Sequence, residues 1–226
     1  MTPLVAVAGC PNSGKTTLYN RLTGASRTVG NWPGQTVERQ EGTVGVGPDG
    51  FGLVDLPGTY GLVAVSAEET IATGFLMEER PDVVINVVDA TGLTAGLHLA
   101  SQIAEAGFRQ IIALNMCDVA DRRGIVIDDR ALETALGAPV VRTVARRGEG
   151  IDQVREMTAR LVAESGPAAP LVLDYGPVIE RHLGALVASV VPVPALRELG
   201  APRWTVLQLL AGDVRTERLV TMAPGG

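Results

Sequence analysis

Leu4-Val5-Ala6-Val7-Ala8-Gly9-Cys10-Pro11-Asn12-Ser13-Gly14-Lys15-Thr16-Thr17 decides how the rest of this chain is read. Five apolar residues predict a buried strand. The next eight, Gly9 to Thr16, fit Gly-x-x-x-x-Gly-Lys-[Ser/Thr], a loop that curls backbone N–H groups around a phosphate. Lys15 to Thr23 predicts a helix that stops at Gly24, and the positive end of that helix faces the same anion. In this pattern Gly9, Pro11, Asn12, Ser13, Gly14 and Thr17 shape or line the phosphate site. Lys15 reaches the β- and γ-phosphates, and the Thr16 hydroxyl is a candidate Mg²⁺ ligand.

The bulk composition narrows the partners. With 226 residues there is room for one α/β domain and a smaller attachment. A net charge of −6 without Lys/Arg clusters argues against a nucleic-acid surface. Two cysteines, Cys10 and Cys117, are too few for a disulfide framework and read as reduced thiols. No signal peptide is expected, because Pro3 comes early and the first apolar run enters the phosphate loop. No stretch reaches the roughly 18 apolar residues of a spanning helix. The longest, Leu183 to Leu196, is interrupted by Pro192 and Pro194. His98 and His182 stand apart from other metal-ligating side chains and predict no iron site.

Outward from the loop, apolar runs alternate with helix-period segments. Strands are expected at Thr43–Val46, Phe51–Val54, Val83–Val88, Gln110–Leu114 and Pro139–Val141. The first two form a hairpin across Gly47-Pro48-Asp49-Gly50. Helices are expected from Ser66, which with Glu69 forms a capping box, to about Glu79, and at Leu93–Ala106, Ala131–Leu136 and Ile151–Val162. This rhythm predicts a mostly parallel sheet with helices on both faces and one antiparallel edge. A linker is expected at residues 164–170. After it Val178–Val190 and Arg203–Leu210 predict a small helical subdomain, dividing the chain into residues 1–165 and 166–226.

Further motifs fall where ligands sit in such sheets, at the carboxyl ends of strands. Asp55-Leu56-Pro57-Gly58 places a carboxylate that can hold Mg²⁺ through water and a Gly58 N–H that can sense a γ-phosphate. Asn115-Met116-Cys117-Asp118 places a carboxylate that can accept hydrogen bonds from N1–H and N2–H₂ of guanine, a donor pair adenine lacks. Asn115 would brace that loop, and Met116 stands where Ras-type GTPases carry a lysine. In Thr143-Val144-Ala145 the Ala145 N–H is a candidate to meet guanine O6.

Residues Val29 to Glu38, which include Gly34, Gln35 and Thr36, occupy the place of a mobile first switch. Thr36 would complete the Mg²⁺ shell, and Trp32 on this Gly/Pro-rich loop is not expected in the core. Thr59 follows Gly58, so the glutamine that orients water in Ras-type enzymes is missing. Water is expected to be oriented by backbone groups or Thr36, with a monovalent cation held by Asn12. Catalytic roles thus fall to Lys15, Thr36, Gly58 and Asn12, with GTP or GDP, Mg²⁺ and K⁺ as the expected ligands. An arginine supplied by a partner is the alternative to the cation.

Taken together, Gly-Cys-Pro-Asn-Ser-Gly-Lys-Thr, Val-Gly-Asn-Trp-Pro-Gly-Gln-Thr-Val-Glu, Asp-Leu-Pro-Gly-Thr-Tyr and Asn-Met-Cys-Asp resemble the cytosolic GTPase region of the bacterial ferrous-iron transporter B (FeoB) family. Residues 4 to about 162 carry the resemblance, and Arg203 to Asp213 extends it more loosely. It implies potassium-stimulated GTP hydrolysis and a helical domain that tunes nucleotide release. It also implies a membrane-embedded Fe²⁺ transport region as partner, with this chain on the cytoplasmic side of the inner membrane. Homo-oligomers are left open. Cys10, Gly61 and Val144 depart from the family's usual Asn, Ser and Ser. Two other readings remain: a GTP-dependent binding switch whose hydrolysis is incidental, and a translation- or tRNA-associated GTPase.

Overall fold

The computed structural model describes residues 2–24, 26–45, 50–63, 66–164, 168–191 and 201–222. The expected turn at 47–49, the middle of the expected linker, the proline-rich joint at 192–200 and the tail lie outside these residues.

In the N-terminal part, β1 (Leu4–Gly9) leads to α1 (Lys15–Thr23). Three strands follow, β2 (Arg27–Asn31), β3 (Glu38–Val44) and β4 (Phe51–Asp55), then α2 (Ala67–Glu79) and β5 (Val83–Asp89). Next come α3 (Leu93–Glu105), β6 (Gln110–Asn115), α4 (Cys117–Arg122), α5 (Asp129–Leu136), β7 (Val140–Arg142) and α6 (Ile151–Ala163). Three helices close the described chain: α7 (Pro177–Val190), α8 (Pro202–Leu210) and α9 (Val214–Met222).

The seven strands form one sheet in the order β2-β3-β4-β1-β5-β6-β7. β2, β3 and β4 pair antiparallel, and the remaining neighbours are parallel. The parallel strands are apolar on both sides because helices cover both faces. Alternation within β1 divides the two layers. Val5 and Val7 face α1 and α6 through Leu18, Tyr19, Leu22, Val154 and Leu161. Ala6 and Ala8 face α2 and α3 through Phe75, Leu76, Leu99 and Ile103. α2 starts as expected: Glu69 N–H donates to Ser66 Oγ at 3.1 Å, and Ser66 N–H donates to Glu69 Oε2 at 3.1 Å.

Two corrections concern residues 27–44. The segment expected to be a mobile loop begins as strand β2, and β3 starts at Glu38 rather than Thr43. Trp32, expected outside the core, is only 6% exposed. Its ring meets Phe75 edge-on at 5.6 Å between centroids, and the Arg39 guanidinium lies 4.6 Å from its centre. The reason is geometric: the β2–β3 hairpin folds over α2, and the indole fills the gap beneath it.

α7 and α8 pack on each other through Leu183, Val190 and Val206. They dock on the α2–α3 layer through Trp204, which joins the same buried cluster as Leu62 and Phe75. Arg203 ties the approach to this seam with two 2.7 Å hydrogen bonds to Glu180.

Candidate functional site

The phosphate loop leaves β1 at Gly9, whose φ of +156° places its backbone where a Cβ would come 2.7 Å from the Val87 carbonyl. Gly14 is tighter still: at φ +88°, a Cβ would stand 2.2 Å from Asn115 Nδ2. Glycine at these two positions lets the loop press against β5 and β6. Asn12 takes φ +65°, a left-handed conformation that asparagine tolerates. The curl leaves Cys10, Pro11, Asn12, Gly14, Lys15, Thr16, Thr17 and Gly58 around an open cleft of about 650 Å³. Ser13 turns inward and is buried.

Two of the lining residues, Lys15 and Thr16, meet a buried carboxylate. Lys15 Nζ pairs directly with Asp55 Oδ1, and Thr16 Oγ1 donates to Asp55 Oδ2 at 3.3 Å. Burial pushes the Asp55 carboxyl up from its ordinary range, while the Lys15 charge and both hydrogen bonds pull it down. Lys15, Thr16 and Asp55 therefore meet at one point, with two hard oxygen donors beside an ammonium group. Gly58 lies against the loop: a Cβ on it would sit 3.2 Å from Pro11, and Thr59 N–H donates to the Gly9 carbonyl at 3.2 Å. Thr59 itself is buried, and its hydroxyl is spent on the Gly61 carbonyl.

A second hollow of about 300 Å³ continues the cleft, sharing Gly14, Thr17 and Met116 with it. Asn115, Asp118, Val144 and Ala145 line it, together with Val119, Arg122 and Arg146. Asn115 braces its floor: Nδ2 donates to the Ser13 carbonyl at 2.9 Å, and Oδ1 accepts from Thr143 Oγ1 at 3.2 Å. Desolvation raises the Asp118 carboxyl, but the hydrogen bond and charge of Arg122, with Arg147 and Arg146 beyond, outweigh it and hold the group below its ordinary range. Asp118 Oδ2 accepts from Arg122 at 3.0 Å, and Arg147 lies 3.4 Å away. The result is an ionised acceptor at the mouth of a flat, partly apolar slot.

The structure modifies two expectations. The Ala145 N–H, expected to face an incoming base, donates to Asn115 Oδ1 at 3.0 Å, because the short turn after β7 folds back onto that side chain. Gly34, Gln35 and Thr36 do not line the cleft. Gly34 and Thr36 are exposed, and Gln35 lines a separate groove with Trp32, Arg39, Ile71 and Phe75. The buried Trp32 holds that turn over α2, reinforced by Gln35 N–H to the Trp32 carbonyl at 3.0 Å.

Sequence reasoning passed over Glu68, which lines the phosphate cleft from the first turn of α2, and over Arg122 and Arg146. Arg122 lies one helical turn after Asp118, and that spacing was the available signal. Among the described residues no cluster of three or more His, Cys, Asp or Glu is placed to hold a metal, and no helix is long and apolar enough to cross a membrane. Cys10 and Cys117 are free, and burial raises both thiols.

Comparison with known proteins places this geometry. Residues 4–158 match the family described as ferrous iron transport protein B. The Fe(2+) transporter FeoB of Salmonella choleraesuis is 41% identical over 214 residues, spanning 93% of this chain and 27% of that protein. The chain thus spans about a quarter of the length of the curated relatives it matches. The cytosolic domain of the T. maritima FeoB iron transporter in a GDP form superposes with a TM-score of 0.87 at 35% identity, over 99% of this chain and 88% of that one. Its GMPPNP form gives 0.84 at 34% identity, over 100% and 88%.

Proposed function

The chain belongs to the ferrous iron transport protein B family, and from that premise we propose that it binds and hydrolyses GTP on the cytoplasmic face of the inner membrane, controlling Fe²⁺ uptake by a membrane-embedded partner region. The observation that carries this is the continuous cleft lined in one part by Asp118 and in the other by Lys15, which pairs with the buried Asp55, the two parts joined by Gly14, Thr17 and Met116. The GDP and GMPPNP forms of the T. maritima relative support guanine nucleotide as the occupant.

In this reading the base enters the Asp118 slot, where the carboxylate accepts from N1–H and N2–H₂. Asn115 keeps that slot fixed to the phosphate loop. An arriving nucleotide draws Lys15 from Asp55 to the β- and γ-phosphates, exchanging one charge pair for another. Thr16 and Asp55 are then the oxygen donors suited to Mg²⁺, and they fit it because both are hard ligands at the same point. Mg²⁺, when bound, neutralises phosphate charge. Asn12 borders the cleft where a monovalent cation would lie, and Gly58 N–H is available to the γ-phosphate. Thr36 reaches the site only after the β2–β3 turn moves from its place over α2, so hydrolysis waits on that movement. Residues 1–165 carry the chemistry, and residues 166–226 tune nucleotide release.

The test is multiple-turnover hydrolysis of GTP and ATP with Mg²⁺, in potassium and then in sodium at equal ionic strength. GTP-only hydrolysis raised by potassium is the expected result. Equal rates in both salts remove the cation from the mechanism, and no preference for GTP over ATP removes Asp118 as base reader.

A further inference from the structure

Past Gly58 the chain runs to Leu62, a fully buried residue whose backbone is held from three sides. Its N–H donates to Gln102 Oε1 at 2.7 Å, and its carbonyl accepts from Thr73 Oγ1 and from Gln208 Nε2, each at 3.1 Å. Gln102 and Thr73 belong to α3 and α2, whereas Gln208 comes from α8. Gln208 is 4% exposed, and its second polar atom, Oε1, has no partner.

Asp213, at the start of α9, shows the same pattern. It is 3% exposed; Oδ2 accepts from Thr216 N–H at 2.8 Å and Thr216 Oγ1 at 2.6 Å, while Oδ1 has no partner. Gln208 and Asp213 line one cavity of about 10 Å³, together with Thr73, Met77, Trp204, Thr205 and Thr216. That is the space of a single water molecule.

The hydroxyl protons around the cavity are already committed. Thr73 donates to Leu62, Thr205 to the Ala201 carbonyl at 3.4 Å, and Thr216 to Asp213. Turning the Gln208 amide over is no remedy, because its oxygen would then oppose the Leu62 carbonyl. Two buried acceptors without partners thus belong to residues that line one water-sized space, an arrangement that costs free energy unless something donates to both.

We propose that this cavity holds one buried water, which donates one proton to Gln208 Oε1 and the other to Asp213 Oδ1. The water completes a polar chain, Leu62–Gln208–water–Asp213–Thr216, from the segment after Gly58 to the cap of α9. Gln208 is then a positioning residue: the water fixes its amide, and the amide fixes the Leu62 carbonyl. The second half of this inference rests on the nucleotide reading above, and the first half does not.

A high-resolution crystal structure of the 226-residue protein decides the first half. One peak about 2.7 to 3.2 Å from both oxygens is expected. An empty cavity overturns the proposal, as does a peak ringed by five or more oxygens at cation distances. For the second half, Gln208→Met removes the amide, and Gln208→Glu keeps its shape but loses the donor to Leu62. Both should release a fluorescent GDP about fivefold faster while still melting cooperatively. Asp213→Asn, which keeps a capping oxygen and adds a donor toward the cavity, should release at the parent rate. Unchanged release from both Gln208 variants overturns the positioning role. A parent protein that binds no GDP defeats the nucleotide reading alone, because the density still decides the water.

Discussion

Asn115 spends its amide on Ser13, Thr143 and Ala145, and so ties the phosphate loop to the turn after β7. Along β2, on the same sheet, all five residues are exposed and only one neighbouring strand supports them. These bonds fix the base slot and the phosphate loop to each other, which lowers the ordering entropy a nucleotide has to offset. β2 is paired on one side only and its turn is held over α2 by Trp32, and such weakly supported segments are where ligand-driven movement is cheapest. In the proposed function one molecule thus separates recognition, placed on the braced side, from response, placed on the turn that Trp32 holds.

Removing that indole should have the largest effect on stability. Trp32→Ala is expected to cost about 3 kcal/mol in urea unfolding, because it empties the space against Phe75 and removes the ring that Arg39 lies over. GDP affinity should stay the same, since Trp32 does not line the cleft. A large loss of GDP affinity would show that the two regions are not separable.

Gly14→Ala attacks the preformed side. A Cβ at φ +88° with Asn115 Nδ2 2.2 Å away forces loop and bracing side chain apart. The expected cost is about 2 to 3 kcal/mol, seen as a lower melting temperature and as GDP and GTP titrations weakened together. If GTP alone weakens, the loop is not the shared anchor described here. Asp118→Asn comes next. It replaces an acceptor with an amide that meets the guanine N1–H poorly, and both nucleotides should bind about thirtyfold more weakly, or roughly 2 kcal/mol. Xanthosine nucleotides, which present an oxygen at C2, should gain. Equal GTP binding by the variant would place the base elsewhere.

The same contrast explains what could be read before any coordinates. β1, α1 with its stop at Gly24 and the Ser66 cap of α2 follow from local rules: an apolar run, a glycine and a reciprocal pair of hydrogen bonds. The polar strands were illegible for a physical reason. Arg-Thr-Val-Gly-Asn and Glu-Arg-Gln-Glu-Gly carry no buried face, so no alternation marks them, and only the pairing of β3 with β4 and of β2 with β3 makes them strands. Trp32 was misplaced because burial over α2 depends on the hairpin's fold-back, which no local spacing encodes. Lys15, Asp55, Asn115 and Asp118 could be singled out because motif spacing places them at or just past the ends of β1, β4 and β6. Of the partners of Asp118, Arg122 was legible from its helical spacing, whereas Arg147 and the use of the Ala145 N–H were not, because they depend on the turn after β7.

The smallest effect is also the sharpest probe of the separation. Met116 borders both the base slot and the phosphate cleft, and it sits in a left-handed conformation with φ of +62°. Lysine has the same unbranched stem and adds a positive charge at the rim. A solvent-screened charge at that distance should strengthen nucleotide binding by less than about 1 kcal/mol, mostly through slower release. Because Met116 lines the rigid cleft and the β2–β3 turn does not, GDP and GTP should tighten by the same factor in Met116→Lys. Stopped-flow release of fluorescent GDP and of a non-hydrolysable GTP analogue measures both. A change confined to the triphosphate would mean that a charge at the base slot reaches the hairpin. The rigid and hinged regions would then be one cooperative unit rather than two.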